Sequence, residues 1–235
     1  MSSKSHKSFA SRLGKAKTFH TYVSSYTDYI APLETASVSS FKNTITAIET
    51  LQKQYNNVKS DYTEKINERK KIFYNNDNSL EKRLSLIRVF VKALKGKDHS
   101  ITKQITSLVN KIRGYVKKTN TTSNSDTNTI SKIECTYASR LANFNNIIDI
   151  ISNLGESYNP PNNEISLASL QELATDAANS SAAIDTCLSV YKPIIDARQV
   201  LYSNLNTQSQ AIKGFIKAQY GLYAKEYTQI KKLDI

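Results

Sequence analysis

Three histidines, two cysteines and one pair of helix-spaced glutamates are the residues in this chain whose chemistry asks for a test first. His6, His20 and His99 have no Cys, His or carboxylate partner at a metal-ligand spacing, so no zinc or di-metal centre is expected. Glu64 and Glu68 stand one helical turn apart, but no Glu-x-x-His accompanies them. Their neighbours Lys65, Arg69, Lys70 and Lys71 make a solvated, ion-paired helix face the expected outcome. Cys135 and Cys187 lie far apart in partly apolar surroundings, which suits packing better than nucleophilic chemistry or a disulfide framework. No nucleophile–base pair and no phosphate-cradling glycine loop is recognisable, so the expectation is a non-enzymatic protein without a cofactor or small-molecule substrate.

Charge is the stronger signal. The chain carries a formal +12, and it is unevenly placed: residues 1–120 hold 23 Lys/Arg against 9 Asp/Glu, residues 121–235 hold 9 against 11. The densest run comprises Lys82, Arg83, Arg88, Lys92, Lys95, Lys97, Lys103, Lys111, Arg113, Lys117 and Lys118. Arg88, Lys92 and Lys95 share one face of a helix whose apolar stripe is Leu84, Ile87, Val91 and Leu94. Such a face docks phosphates of nucleic acid or of an anionic membrane surface, or is simply solvated, or matches an acidic partner. No zinc finger, helix-turn-helix or RNA-binding signature singles out one of these. A basic half and a slightly acidic half could also associate head to tail.

The elements that must position these residues are helices. Six Gly and four Pro in 235 residues leave too few turns for a β-fold. Val38, Phe41, Ile45, Ile48, Leu51, Tyr55, Val58, Tyr62 and Ile66 recur every three or four residues, which predicts a long helix over roughly 36–75. The segment Tyr74–Ser79 breaks it, with Asn78 or Ser79 as N-cap of the next helix and Gly96 as its end. Shorter helices are expected upstream, over 8–29, and downstream, around Ile101, Ile105, Leu108 and Ile112. Many of the fourteen tyrosines, among them Tyr55, Tyr62 and Tyr191, fall on apolar stripes and are expected to pack rather than to stack on bases.

The same plan recurs. At an offset of 129, Tyr29 meets Tyr158, Pro32 meets Pro161, Tyr62 meets Tyr191 and Arg69 meets Arg198. After a four-residue deletion the offset becomes 125, and Ile87 meets Ile212, Phe90 meets Phe215, Gly96 meets Gly221 and Leu108 meets Leu233. The reading is an all-α protein of elongated antiparallel bundles: a four-helix module at 1–117, a polar linker at 118–131, and a second copy at 132–235. The second copy predicts helices over about 131–154, 166–203, 206–220 and 223–234, with a kink or break at Pro193. Arg69 and Arg198, near the ends of the long helices, are expected to bond last-turn carbonyls.

The segments FVKALKG (90–96) and FIKAQYG (215–221), with DARQVLY (196–202) and YNPP (158–161), resemble a set of duplicated helical proteins of unknown function in Bacteroidota. The resemblance spans both copies and implies no activity, cofactor or site residue. With no signal segment and no run of 18 apolar residues, a cytoplasmic location is expected. The expected role is a scaffold or assembly protein that contacts itself or other proteins, the alternative being nucleic-acid or anionic-surface binding through residues 82–118.

Overall fold

The structure, a computed structural model, describes residues 8–114 and 136–235, and every described element is helical. The expected linker, Lys117, Lys118, His6 and Cys135 lie outside the described residues. In chain order the helices are α1 (Phe9–Ser24), α2 (Val38–Lys70), α3 (Leu80–Lys95), α4 (Ser100–Arg113), α5 (Tyr137–Ser152), α6 (Leu167–Tyr220) and α7 (Lys225–Ile230).

Local chemistry sets the boundaries. The Ser8 and Thr136 hydroxyls each accept from the backbone N–H three residues on, Ser11 at 3.2 Å and Ser139 at 3.1 Å, and so cap α1 and α5. Ser79 occupies the N-cap position of α3. Gly96 and Gly221 close α3 and α6 with φ of 89° and 98°, a conformation that a Cβ would oppose.

After α2 the chain takes one π-helical turn, Lys71–Asn75, and a short break before α3. No such break interrupts α6, which runs 54 residues through Pro193. The break expected at Pro193, and the division into helices over 166–203 and 206–220, are therefore corrected to one continuous helix. Two causes act together. The four residues missing relative to the first half remove the loop-out, and Pro193 lies on an exposed side of the helix, where a missing N–H costs least.

The described residues form two compact units, and these cut across the two halves of the sequence. One comprises the chain up to Asp61 together with Cys187–Ile235; the other is Tyr62–Thr186. In the first, α1 and the start of α2 supply Ala16, Phe19, Val23, Phe41, Ile45 and Ile48. The end of α6 and the C-terminal segment supply Tyr202, Leu205, Ile212, Ile216, Ile230 and Ile235. In the second, α3 and α4 supply Leu84, Ile87, Val91, Ile105, Val109 and Ile112, against Phe144, Ile147, Ile151, Leu170 and Leu173 of α5 and the start of α6. Each core thus joins side chains from both halves of the chain, and neither half contains a complete one.

Matched positions make matched contacts. Tyr29 donates to the Ala36 carbonyl at 3.0 Å, and Tyr158 donates to the Ile165 carbonyl at 2.7 Å. Phe9 and Tyr137, the first residues of α1 and α5, also pack alike: the Phe9–Tyr202 ring centroids are 4.6 Å apart, and those of Tyr137 and Phe73 are 4.9 Å apart.

The buried phenols give the fold a pH signature. Burial pushes Tyr158 up to about 12; burial, with Glu226, Tyr22 and Tyr220 nearby, does the same for Tyr26, and burial also raises Tyr29 and Tyr202. Folding holds these protons more tightly than the unfolded chain does, so their contribution is complete below pH ~10 and is lost as pH rises towards 12. Lys213 acts in the opposite sense: its pKa is lowered by burial, and its Nζ donates to the Leu233 carbonyl at 2.6 Å. With the tyrosines outnumbering it, the melting temperature is expected to fall above pH ~10. Tyr158→Phe should flatten that fall and cost about 1 kcal/mol at neutral pH through its lost hydrogen bond; thermal melts across pH 8–11.5 would check both.

Candidate interaction surfaces

The basic stretch divides once its side chains are placed. Arg83 is spent inside the protein, its Nη1 donating to the Ser169 carbonyl at 2.9 Å and to Ser169 Oγ at 2.8 Å. Arg113 clamps α4 to α3 through the Glu81 carbonyl at 3.1 Å and Ser85 Oγ at 2.5 Å. Lys82 pairs with Asp77 at 2.6 Å. Lys92, Lys97, Lys103 and Lys111 are exposed, and Arg88 and Lys95 are half-buried beside the apolar stripe of α3. Lys103 and Lys111 lie on the side of α4 opposite Ile105, Val109 and Ile112. The outward face of α3 is not a lysine field: it presents Leu86 and Val89, the latter 63 % exposed.

The arginines at matched positions do something else than expected. Arg69 and Arg198 do not bond last-turn carbonyls; their guanidinium groups lie on aromatic rings. Arg69 sits 3.9 Å over Tyr137, and Arg198 lies 4.1 Å from the Phe9 ring and 4.2 Å from that of Tyr55. The Nε of each is buried without a hydrogen-bond partner, and the ring faces compensate part of that desolvation. Arg12 adds a bond to the Tyr202 carbonyl at 2.8 Å, and Arg140 lies 5.0 Å over Tyr74. These stacks pair the N-terminal part of one half with the long helix of the other, so no spacing within either half announces them.

Tyr191 donates to Tyr55 at 3.2 Å, and that bond, with Lys59 and Arg198 close by, draws the Tyr55 pKa below that of an ordinary phenol. Lys65 pairs with Glu68 at 2.8 Å. His99 Nδ1 accepts from Ile101 N–H at the start of α4, and His20 meets Ser24 one turn on. Cys187 is half-buried with a free thiol. Among the described residues no group of three or more His, Cys, Asp or Glu could hold a metal ion, and no helix is long and apolar enough to cross a membrane.

Two concavities belong to the first unit. One, of about 430 Å³, lies where Leu13, Gly14, Lys17, Gln52, Asn56 and Arg198 meet. Its polar groups are largely partnered already: Lys17 bridges to Glu49, outside the lining, at 2.5 Å, and Gln52 donates to Asn56 at 2.9 Å. The other, of about 750 Å³, is an open groove between α2 and α6, with Ala47, Leu51, Ala197, Val200 and Leu201 along it and Thr46, Thr50 and Gln54 at its edge. Its lining carries no charged group. Nothing in either segment announces this groove, because its walls, at Ala47 and Ala197, are about 150 residues apart in the chain.

Compared with protein families, curated proteins and solved structures, the chain matches none.

Proposed function

We propose that this protein is a non-enzymatic helical assembly protein, a tandem duplication whose helix faces mediate contacts with itself or with other proteins. The observation that carries the reading is the composition of its outward surfaces. In the most basic segment two of three arginines are consumed internally, and Leu86 and Val89 stand exposed among the remaining lysines. Apolar side chains among charges favour a desolvated protein contact, whereas phosphate docking favours free arginine forks. The matched capping, tyrosine and arginine contacts of the two halves support the duplication.

Sedimentation of the nuclease-treated chain tests the reading. Species heavier than 26.4 kDa should appear as concentration rises and should persist at roughly 0.5 M salt, where exposed charges are screened over a few ångströms. The alternative, polyanion binding, draws on Arg88, Lys92, Lys95, Lys97, Lys103 and Lys111. It predicts tight binding to mixed-sequence duplex DNA or anionic vesicles that falls steeply with salt. Under that alternative, neutralising Arg88, Lys92 and Lys95 to Gln lowers the salt slope by about 3. On the assembly reading the triple variant sediments as the parent does.

A further inference from the structure

We infer that one end of the first unit is a knob that seats in the α2–α6 groove of a second copy of this chain. The inference rests on the assembly reading above and names its contact.

The knob is built from two loops. Ile30 and Leu33, in the connection between α1 and α2, are 74 % and 56 % exposed; Leu222 and Tyr223, between α6 and α7, are 48 % and 91 % exposed. A reciprocal pair of hydrogen bonds ties the loops together: Gln219 Nε2 donates to the Ile30 carbonyl, and the Ile30 N–H donates to Gln219 Oε1 at 3.3 Å. Tyr26 braces the same end by donating to the Glu226 carbonyl at 2.9 Å. Four large, exposed apolar side chains are thus carried on two tied loops at one end of the unit, where single exposed apolar residues would be ordinary and a group of them marks an interaction surface.

Folding does not call for them. The matched positions in the other half are Asn159 and Asn162, for Ile30 and Leu33, and Lys97 and Asp98, for Leu222 and Tyr223. The same turns therefore close with polar residues, including the same positive-φ glycine before the second loop.

The groove obeys the same rule. Ala47, Leu51 and Val200 line it, with Val200 57 % exposed, and the matched positions elsewhere are Asp176, Ser180 and Lys71. Knob and groove occur together in one unit; in the other, all four knob positions and every apolar groove position but that of Leu201, matched by Ile72, carry polar or charged residues. That co-occurrence identifies the occupant as another copy rather than a lipid surface, which would require the knob alone.

Within one chain the two cannot meet. Val200 and Tyr220 are 20 residues apart along the uninterrupted helix α6, about 30 Å at 1.5 Å per residue. The contact must therefore be intermolecular, unlike surface meeting unlike surface, which propagates unless a symmetry closes it.

The test uses the other half's own residues as substitutions. A knob variant carries Ile30→Asn, Leu33→Asn, Leu222→Lys and Tyr223→Asp; a groove variant carries Ala47→Asp, Leu51→Ser and Val200→Lys. Circular dichroism and melting first show that both remain folded. If a groove variant fails to fold, Val200→Lys alone, at an exposed position, replaces it. Each variant alone is expected to be a monomer at concentrations where the parent associates. Mixed, they should form a 1:1 complex, since one retains the groove and the other the knob. Association undiminished in both folded variants would overturn the knob-in-groove contact and leave the assembly reading standing. A parent chain that is monomeric throughout would remove both. Vesicle binding by the parent, lost in the knob variant but kept in the groove variant, would also overturn the second copy as occupant.

Discussion

Cutting the chain between its halves should abolish folding of each piece and leave the pair able to fold together. Fragments 1–117 and 132–235, purified separately, are expected to show no cooperative melt as monomers. Mixed in equal amounts they should regain helicity as a 1:1 complex. The reason lies in how the cores are shared. Of the buried residues in the second unit's core, eight come from the first half, Phe73 to Ile112, and nine from the second, Phe144 to Ala177. The first unit's core divides seven to six. A buried aliphatic or aromatic side chain is worth ~1.5–3 kcal/mol, so losing half of either core exceeds the total stability of an ordinary domain, about 5–15 kcal/mol. Either fragment can at most pair with itself, borrowing the matched face from a second copy of the same fragment. Calorimetry with mass determination checks the expectation; a single fragment melting cooperatively as a monomer would contradict it.

The second large effect distinguishes shared units from autonomous copies. Phe144 is fully buried on α5, among side chains of α3 and α4 as well as of its own half. Phe144→Ala is expected to cost about 3–5 kcal/mol by leaving a cavity. Where that cost appears matters more than its size. Hydrogen exchange should accelerate at Ile87, Val91, Ile105 and Val109, in the other half of the sequence, while α1 and α7 keep more of their protection. Were each half an independent bundle, the loss would spread through α6 and α7 and spare α3 and α4.

Much of the helical framework was legible beforehand. The 3.5-residue apolar period of Phe41, Ile45 and Ile48 placed α2, Ser79 and Gly96 marked the ends of α3, and the four-residue deletion showed where the halves diverge. The break read at Pro193 is absent, because proline propensity says nothing of the exposed side of the helix on which the ring sits. What could not be read was which stripes face each other. Periodicity gives one face of a helix and is silent about its partner, so Arg69 meeting Tyr137, or Arg198 meeting Phe9, had no signature in either segment. The basic run was visible as composition, yet Arg83 and Arg113 are cations whose partners are a serine and backbone carbonyls, which charge counting does not see. Ile30, Leu33, Leu222 and Tyr223 had a faint signal: large apolar residues beside Pro32 and Gly221, where turns are normally polar.

The claim that this protein works by associating with its own kind is tested most directly by light scattering after size exclusion. The untagged, nuclease-treated chain would be loaded over a hundredfold range of concentration. The mass should rise with concentration above 26.4 kDa in both low and high salt. A single species holding that monomer mass throughout would contradict self-association.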